Sequence, residues 1–325
     1  MKSSTEGFLK FVPYVGAVIG SLTFAFTTSF WFNAVEAEVY APSMLFTSLV
    51  VWLVMFWSER SEMPGNEKYL LFIMYLVGLA IGVHLLNVLA LPMVFMIVYY
   101  KKYPVNITSF ALLVLFGALL TGMIYPGLVQ GIPAMAKIGG FLGLLLSIVV
   151  LVIILAYIID RKMELASLIL SSILLVILGY STYATIYIRS NLNPNIDENN
   201  PETIEKFISY MNREQYGEHT LDRNKILRDS PNGKQYTGEW DFFWTYQFNK
   251  MYVRYFLWNF LGKDVDEKNY DLFKFLGIPF LLGLLGVWYH FNRDWRRALA
   301  VFALFFMTGL AIVLYLNQPD PQPRE

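Results

Sequence analysis

The sequence predicts an all-α integral membrane protein with about nine transmembrane helices, and three observations predict it. Of its 325 residues, 56% are hydrophobic and only 15% are charged, where a soluble domain carries about 25% charged residues. Apolar runs recur at close to the roughly 20 residues a helix needs to cross a bilayer. The lysines and arginines fall in the gaps between those runs, in a pattern that one topology places on a single side.

The clear runs are 12–30, 41–57, 104–125, 139–159, 164–188, 272–291 and 298–316. The stretch 69–100 is too long for one span and short for two. Polar His84 and Asn87 interrupt it and Pro92 follows, so it reads as two short helices, 69–83 and 86–100, turning at His84–Leu85. One long, tilted helix is the alternative. Positive charge separates the two. Lys2 and Lys10 precede the first span, and Arg60 and Lys68 follow the second. Lys101 and Lys102 end the interrupted stretch, Arg161 and Lys162 follow 139–159, and Arg293, Arg296 and Arg297 link the last two runs. With 69–100 counted as a pair, every cluster lies on one side; counted as one span, the later clusters change sides. Nine spans with a cytoplasmic N-terminus follow.

On this reading residues 1–188 hold helices one to seven, 189–271 form an extracytoplasmic segment, and 272–325 hold the last two helices and an outer tail. The loop 126–137 also lies outside. The segment 189–271 is too long for a simple connector. Within it, 202–210 reads as a short amphipathic helix with Pro201 in its first turn and Asn200 as N-cap. The run from Trp240 to Trp258 lacks Gly and Pro and is dense in Trp and Tyr, as suits a helix lying among lipid headgroups.

Composition also excludes. Formal net charge is zero and no basic stripe exists to neutralise phosphates, which argues against a nucleic-acid partner. The absence of cysteine removes disulfides, thiolate metal sites and cysteine nucleophiles. The three histidines, His84, His219 and His290, show no metal-ligand spacing, so no metal site is read from the chain. The N-terminus has no signal-peptide pattern.

Candidate chemistry begins at Glu36 and Glu38, in a turn between the first two spans. Carboxylates at a bilayer edge are expensive to desolvate and mark sites that bind or handle a proton. Being two apart, they share a side only in an extended turn; flanking Trp31, Phe32 and Tyr40 suggest a half-buried setting. The alternative is a solvated pair. His84 and Asn87 need partners inside an apolar stretch, and either line a cavity with the Glu36/Glu38 turn or cap two helices. Arg213 and Tyr216 can grip an anionic group such as a lipid phosphate, or Arg213 can pair with a neighbour. Asp197 and Glu198 lack EF-hand spacing and read as a solvated turn.

The strings Trp31-Phe-Asn-Ala-Val-Glu-Ala-Glu-Val-Tyr40, Gly78-Leu-Ala-Ile-Gly-Val-His-Leu-Leu-Asn87, Asn199-Asn-Pro201 and Tyr210-Met-Asn-Arg-Glu-Gln-Tyr-Gly217 resemble a bacterial family of polytopic membrane proteins. That family is similar to the eukaryotic transmembrane protein O-mannosyltransferases. The resemblance implies a GT-C-like fold in a bacterial inner membrane, and a glycosyltransferase taking a mannose-like sugar from a polyprenyl-phosphate donor to a protein hydroxyl on the extracytoplasmic side. It implies Glu38 and Glu36 as catalytic candidates, and His84, Asn87, Arg189, Arg213 and Tyr216 as substrate-binding candidates. A divalent cation is a possible cofactor; membrane lipid, the lipid-linked sugar and an acceptor protein are the partners. Relatives carry an earlier outer loop with an acidic Asp and Gly-Glu motif, and further spans at the end. The expectation is therefore an internal fragment, inactive alone. A transporter, or a structural subunit of an envelope assembly, is the alternative. A transporter predicts similarly broken spans in two halves, and only 69–100 reads as broken.

Overall fold

The computed structural model describes residues 7, 9–36, 38–212, 214, 220–264 and 269–321, and these are all-helical apart from turns and one isolated bridge, Lys263 to Tyr270. The elements in order are α1 (Val12–Ala25), α2 (Thr28–Val35), α3 (Tyr40–Glu59), α4 (Glu67–Val83), α5 (Leu91–Lys102), α6 (Ile107–Ile124), α7 (Gly131–Asp160), α8 (Glu164–Tyr180) and α9 (Ala184–Ser190). After these come α10 (Ile204–Met211), α11 (Arg223–Asp229), α12 (Glu239–Asp241), α13 (Arg254–Phe260), α14 (Ile278–Arg293), α15 (Trp295–Thr308) and α16 (Leu310–Leu316).

Among the described residues, five continuous helical stretches are long and apolar enough to cross a membrane: Tyr40–Glu59, Leu85–Lys102, Ile107–Asp160, Glu164–Ser190 and Trp295–Leu316. The pair α1 and α2, bent by 64°, makes up to six. The α4 helix has 17 residues and α14 has 16, shorter than that measure. In the most apolar window of Ile107–Asp160, no residue is buried by the rest of the protein. A soluble protein does not leave such a surface to water, so these helices mark a membrane protein.

Local chemistry sets the breaks. The α4 helix ends at His84, whose extended backbone (φ −156°, ψ 120°) leads into a 3-10 turn, Leu85–Ala90, before α5. The stretch 69–100 is thus two helices. Asn106 caps α6 by accepting the Ser109 N–H while the Ser109 hydroxyl serves the cap backbone, the reciprocal arrangement that satisfies two orphan donors. Asp294 caps α15 through the Arg297 N–H. The expected loop 126–137 is instead helical: α6 passes through a π-helical turn, Tyr125–Gln130, into α7. Pro126 is tolerated at the start of that turn, and the regular backbone gives way later, at Gly140 (φ 64°, ψ −172°). The α10 helix begins after Thr203, not Asn200. Thr203 accepts the Lys206 N–H, while Asn200 sits at φ 43°, a left-handed conformation that ends a turn rather than opening a helix. The aromatic run is a continuous helix from α12 through a π-helical stretch, Phe242–Val253, to α13.

The core is built from α3, α4 and α5, with Val54, Trp57, Ile73 and Met93 fully buried and Ala298 and Ala300 of α15 closing one side. The α4 and α8 helices lie parallel and touch backbone to backbone: a Cβ on Gly78 would fall 2.3 Å from the Val176 carbonyl oxygen, and one on Gly179 would fall 2.5 Å from that of Tyr75. Without a hydrophobic drive between helices in lipid, such close approach through small residues is how spans associate.

These contacts gather the basic loops at one end. The Asn66 side chain donates to the Arg60 carbonyl at 2.6 Å, Lys102 Nζ to the Ser61 carbonyl at 3.2 Å, and Arg297 Nη2 to Ser58 Oγ at 3.3 Å. Because α8 runs parallel to α4, Arg161 and Lys162 join them. The start of α3 and the ends of α4 and α8 lie at the opposite end.

Candidate functional site

At that opposite end is a cavity of about 210 Å³. Its wall is formed by the last turn of α4 with His84 and Leu85, by Tyr180 and Tyr183 beyond α8, by Tyr125 and Val129 of the π-helical turn, and by Tyr210 and Met211 of α10. Val39, at the N-terminus of α3, completes it. The α10 helix is docked as a lid: Tyr125 donates its hydroxyl to the Met211 carbonyl at 3.3 Å and Gln130 Nε2 donates to Asn212 Oδ1 at 3.1 Å. Tyr187 meets Phe207 edge to face at 5.9 Å.

The loop beneath the lid is tied down by Ser190, which donates to Asp197 Oδ2 at 2.7 Å, and by Asn191, which donates to the Glu202 carbonyl at 2.9 Å. Two carboxylates of this segment are held below the usual carboxylate range. A 2.7 Å bond from the Lys206 ammonium does this for Glu202, and the Ser209 hydroxyl at 2.6 Å does it for Glu214.

Inside, the rings of Tyr180 and Tyr183 stack at 5.6 Å. Tyr180 is buried, and its hydroxyl has no hydrogen-bond partner among the described residues. A buried phenol of this kind is expensive unless something accepts from it. The surface offered to a guest is therefore aromatic faces, phenolic hydroxyls and an imidazole.

The Glu36/Glu38 turn and His84 come together at this end. Tyr40 packs edge-on against the His84 ring at 6.0 Å, and Val39 shares the cavity wall with it. Glu38 is half-buried and Glu36 exposed; neither carboxylate lines the cavity. Asn87 does not line it either. Its Nδ2 donates to the Ala80 and His84 carbonyls at 3.2 and 2.9 Å, and its Oδ1 accepts from Ser43 and Thr47 at 2.9 and 3.0 Å. These bonds add to the backbone bonds that the two carbonyls already accept, from the His84 N–H at 2.8 Å and the Asn87 N–H at 3.1 Å, and tie the helix break to α3. Arg189 stands exposed on the last turn of α9, away from the wall. Arg213 and Tyr216 lie outside the described residues. No group of three His, Asp or Glu able to hold a metal ion stands among the described residues.

Sequence reasoning missed Tyr125, Tyr180, Tyr183 and Tyr210. The available signal was hydroxylated aromatics near the ends of apolar runs, as in Gly179-Tyr-Ser-Thr-Tyr183. That signal also fits the ordinary aromatic belt of any span.

The fold and site define an all-helical membrane protein with a lidded, tyrosine-walled cavity at the end away from its basic loops. Residues 2–107 match the family described as the Protein O-mannosyl-transferase TMEM260 N-terminal domain, and in this region the chain is similar to transmembrane O-mannosyltransferases. The matched region holds Glu36, Glu38, His84 and Asn87; the tyrosines of the wall lie beyond it. No curated protein and no solved structure matches the chain.

Proposed function

We propose that the protein is a glycosyltransferase of GT-C type. It transfers a mannose-like sugar from a polyprenyl-phosphate donor to a protein hydroxyl on the extracytoplasmic side of a bacterial inner membrane. One observation carries the reading. The region similar to O-mannosyltransferases contributes His84 and the Glu38–Tyr40 turn to the rim of a lidded cavity walled by phenols. Pyranose rings present apolar faces to aromatic side chains and hydroxyls to phenols and imidazole. A hollow of about 210 Å³ is below the ~300–1,000 Å³ of drug-sized sites, which suits one sugar unit.

The convergence of basic loops at the other end supports nine spans with those loops in the cytoplasm. In that topology residues 189–271 form an extracytoplasmic unit between helices seven and eight, and the cavity opens outward. The donor enters from the membrane, its phosphate met by Arg189 or Arg213. An acceptor hydroxyl oxygen attacks the anomeric carbon, the bond to the phosphate oxygen breaks, and lipid phosphate leaves. Glu38, half-buried at the rim, takes the hydroxyl proton as general base; Glu36, exposed, helps place the acceptor.

The test is transfer of labelled mannose from polyprenyl-phosphate mannose to a serine/threonine peptide, in membranes carrying the full gene product. Glu38→Gln is expected to reduce transfer by about 10²–10⁴-fold with normal membrane insertion. Unchanged transfer removes Glu38 from the chemistry, and an intact protein that transfers no sugar but takes up solute into vesicles makes it a transporter.

A further inference from the structure

At the basic end a second hollow, of about 170 Å³, opens between α5 and the start of α15. Lys101, Arg296 and Arg297 line it, with Asp294 as the one carboxylate on its wall. That carboxylate is already engaged: Oδ1 accepts the Arg297 backbone N–H at 3.2 Å, and Oδ2 lies 3.6 Å from Arg297 Nε. Tyr100, only 9% exposed, also lines the hollow, and its buried hydroxyl has no hydrogen-bond partner among the described residues. The Trp295 ring meets the Tyr100 ring edge-on at 6.0 Å and carries the Arg296 guanidinium at 5.7 Å.

Two costs are left standing here. A buried hydroxyl lacks an acceptor, and three cations share one committed carboxylate. A single guest removes both: an anion with several acceptor oxygens. Donors arriving from two helices suit a tetrahedral group better than a planar one, and a basic pocket between spans is the setting in which lipid head groups are held. We infer that this hollow binds a phosphate group, with the Tyr100 hydroxyl donating from within and Lys101, Arg296 and Arg297 supplying the charge. The group comes from an anionic lipid of the surrounding leaflet or from free phosphate.

The experiment uses the full chain in phosphatidylcholine nanodiscs, with phosphatidic acid included in the bilayer or inorganic phosphate added to the buffer. Thermal unfolding and native mass spectrometry of retained lipid are the readouts. A raised unfolding midpoint with phosphatidic acid alone assigns a lipid head group; a rise with either probe assigns the phosphate itself, and both results uphold the site. Tyr100→Phe keeps the ring and removes the donor, and should lower affinity by roughly 3–10-fold. Arg296→Gln, at an exposed position, should lower it by about fivefold. Lys68→Gln, at the same end but outside the hollow, should change nothing. No response to either probe overturns the proposal. So does wild-type affinity in Tyr100→Phe, or a loss in Lys68→Gln equal to that in Arg296→Gln, which would mean diffuse attraction to the basic surface.

Discussion

Gly78 and Gly179 bring α4 and α8 into backbone contact: a Cβ on Gly179 would lie 2.9 Å from the Gly78 carbonyl carbon. The crossing fixes the ends of α4 and α8, and those ends carry His84 and Tyr180 to the cavity wall. Packing in the membrane and the geometry of the site are thus one problem. A side chain at Gly179 can be admitted only by moving backbone, since its nearest neighbours are main-chain atoms of Tyr75, Gly78 and Leu79. Gly179→Leu should destabilise by about 1–3 kcal/mol or more, read as a lower unfolding midpoint in detergent. Gly286→Ala, on a helix where a Cβ meets nothing within 4 Å, should leave the midpoint unchanged or slightly raised. Equal effects of the two would show that the crossing is not tight.

Asn87 makes a different kind of repair. Its amide serves two carbonyls beside the His84 break and accepts two hydroxyls from α3. Asn87→Ala takes the acceptor from the Ser43 and Thr47 hydroxyls and the second donor from each carbonyl, at a cost of about 1–3 kcal/mol. Asn87→Asp keeps the acceptor but loses the donor, and should be at least as damaging. Thermal unfolding of the two variants beside Ser43→Ala checks this; a wild-type midpoint in Asn87→Ala would show that the break needs no patch.

How much of this was legible in the sequence follows from how local each signal is. The interruption at His84 and Asn87 stood out because polar side chains inside an apolar stretch must find partners nearby, and they do. The basic loops were legible because charge in short loops reads independently of packing. The helical passage through Pro126 was not: a proline with two glycines nearby reads as a loop, and only the chain around it allows the wider π-helical turn. Thr203 displaced Asn200 as the cap of α10 because Asn200 takes a left-handed conformation. The cavity was the least legible feature. Tyr125 and Met211 are bonded across 86 positions, and no periodicity along the chain couples residues so far apart.

Tyr180→Phe separates site from scaffold. Its hydroxyl is buried and bonds to nothing among the described residues, so its removal should leave stability unchanged or slightly improved. If the cavity takes a sugar, that hydroxyl is an available donor, and sugar transfer should fall by about 3–10-fold, the worth of one neutral hydrogen bond. Transfer assays and thermal unfolding on the same preparation check both halves. Lower stability with unchanged transfer would make Tyr180 a packing residue.

Acid should loosen the aromatic helix before the spans. Asp241 accepts the Thr237 N–H at 2.9 Å and the hydroxyls of Thr245 and Thr237 at 2.8 and 3.2 Å. These bonds, led by the Thr237 backbone, hold its carboxyl below the usual Asp range. A folded pKa lower than the unfolded one means the contribution is fully present above the unfolded value, near 3.9. It is lost as pH falls through the lowered folded value. The Asp241 bonds close the first turn around α12, in the manner of a side chain reaching back to a helix start, and Trp240 and Trp244 beside it are exposed. Tryptophan emission should therefore shift as pH drops below about 4, with helical circular dichroism of the spans retained. In Asp241→Asn the acid step should vanish, because the amide keeps an acceptor but no longer titrates. An unaltered acid shift in that variant would place the transition at another carboxylate, with Glu202 and its Lys206 partner the next to substitute.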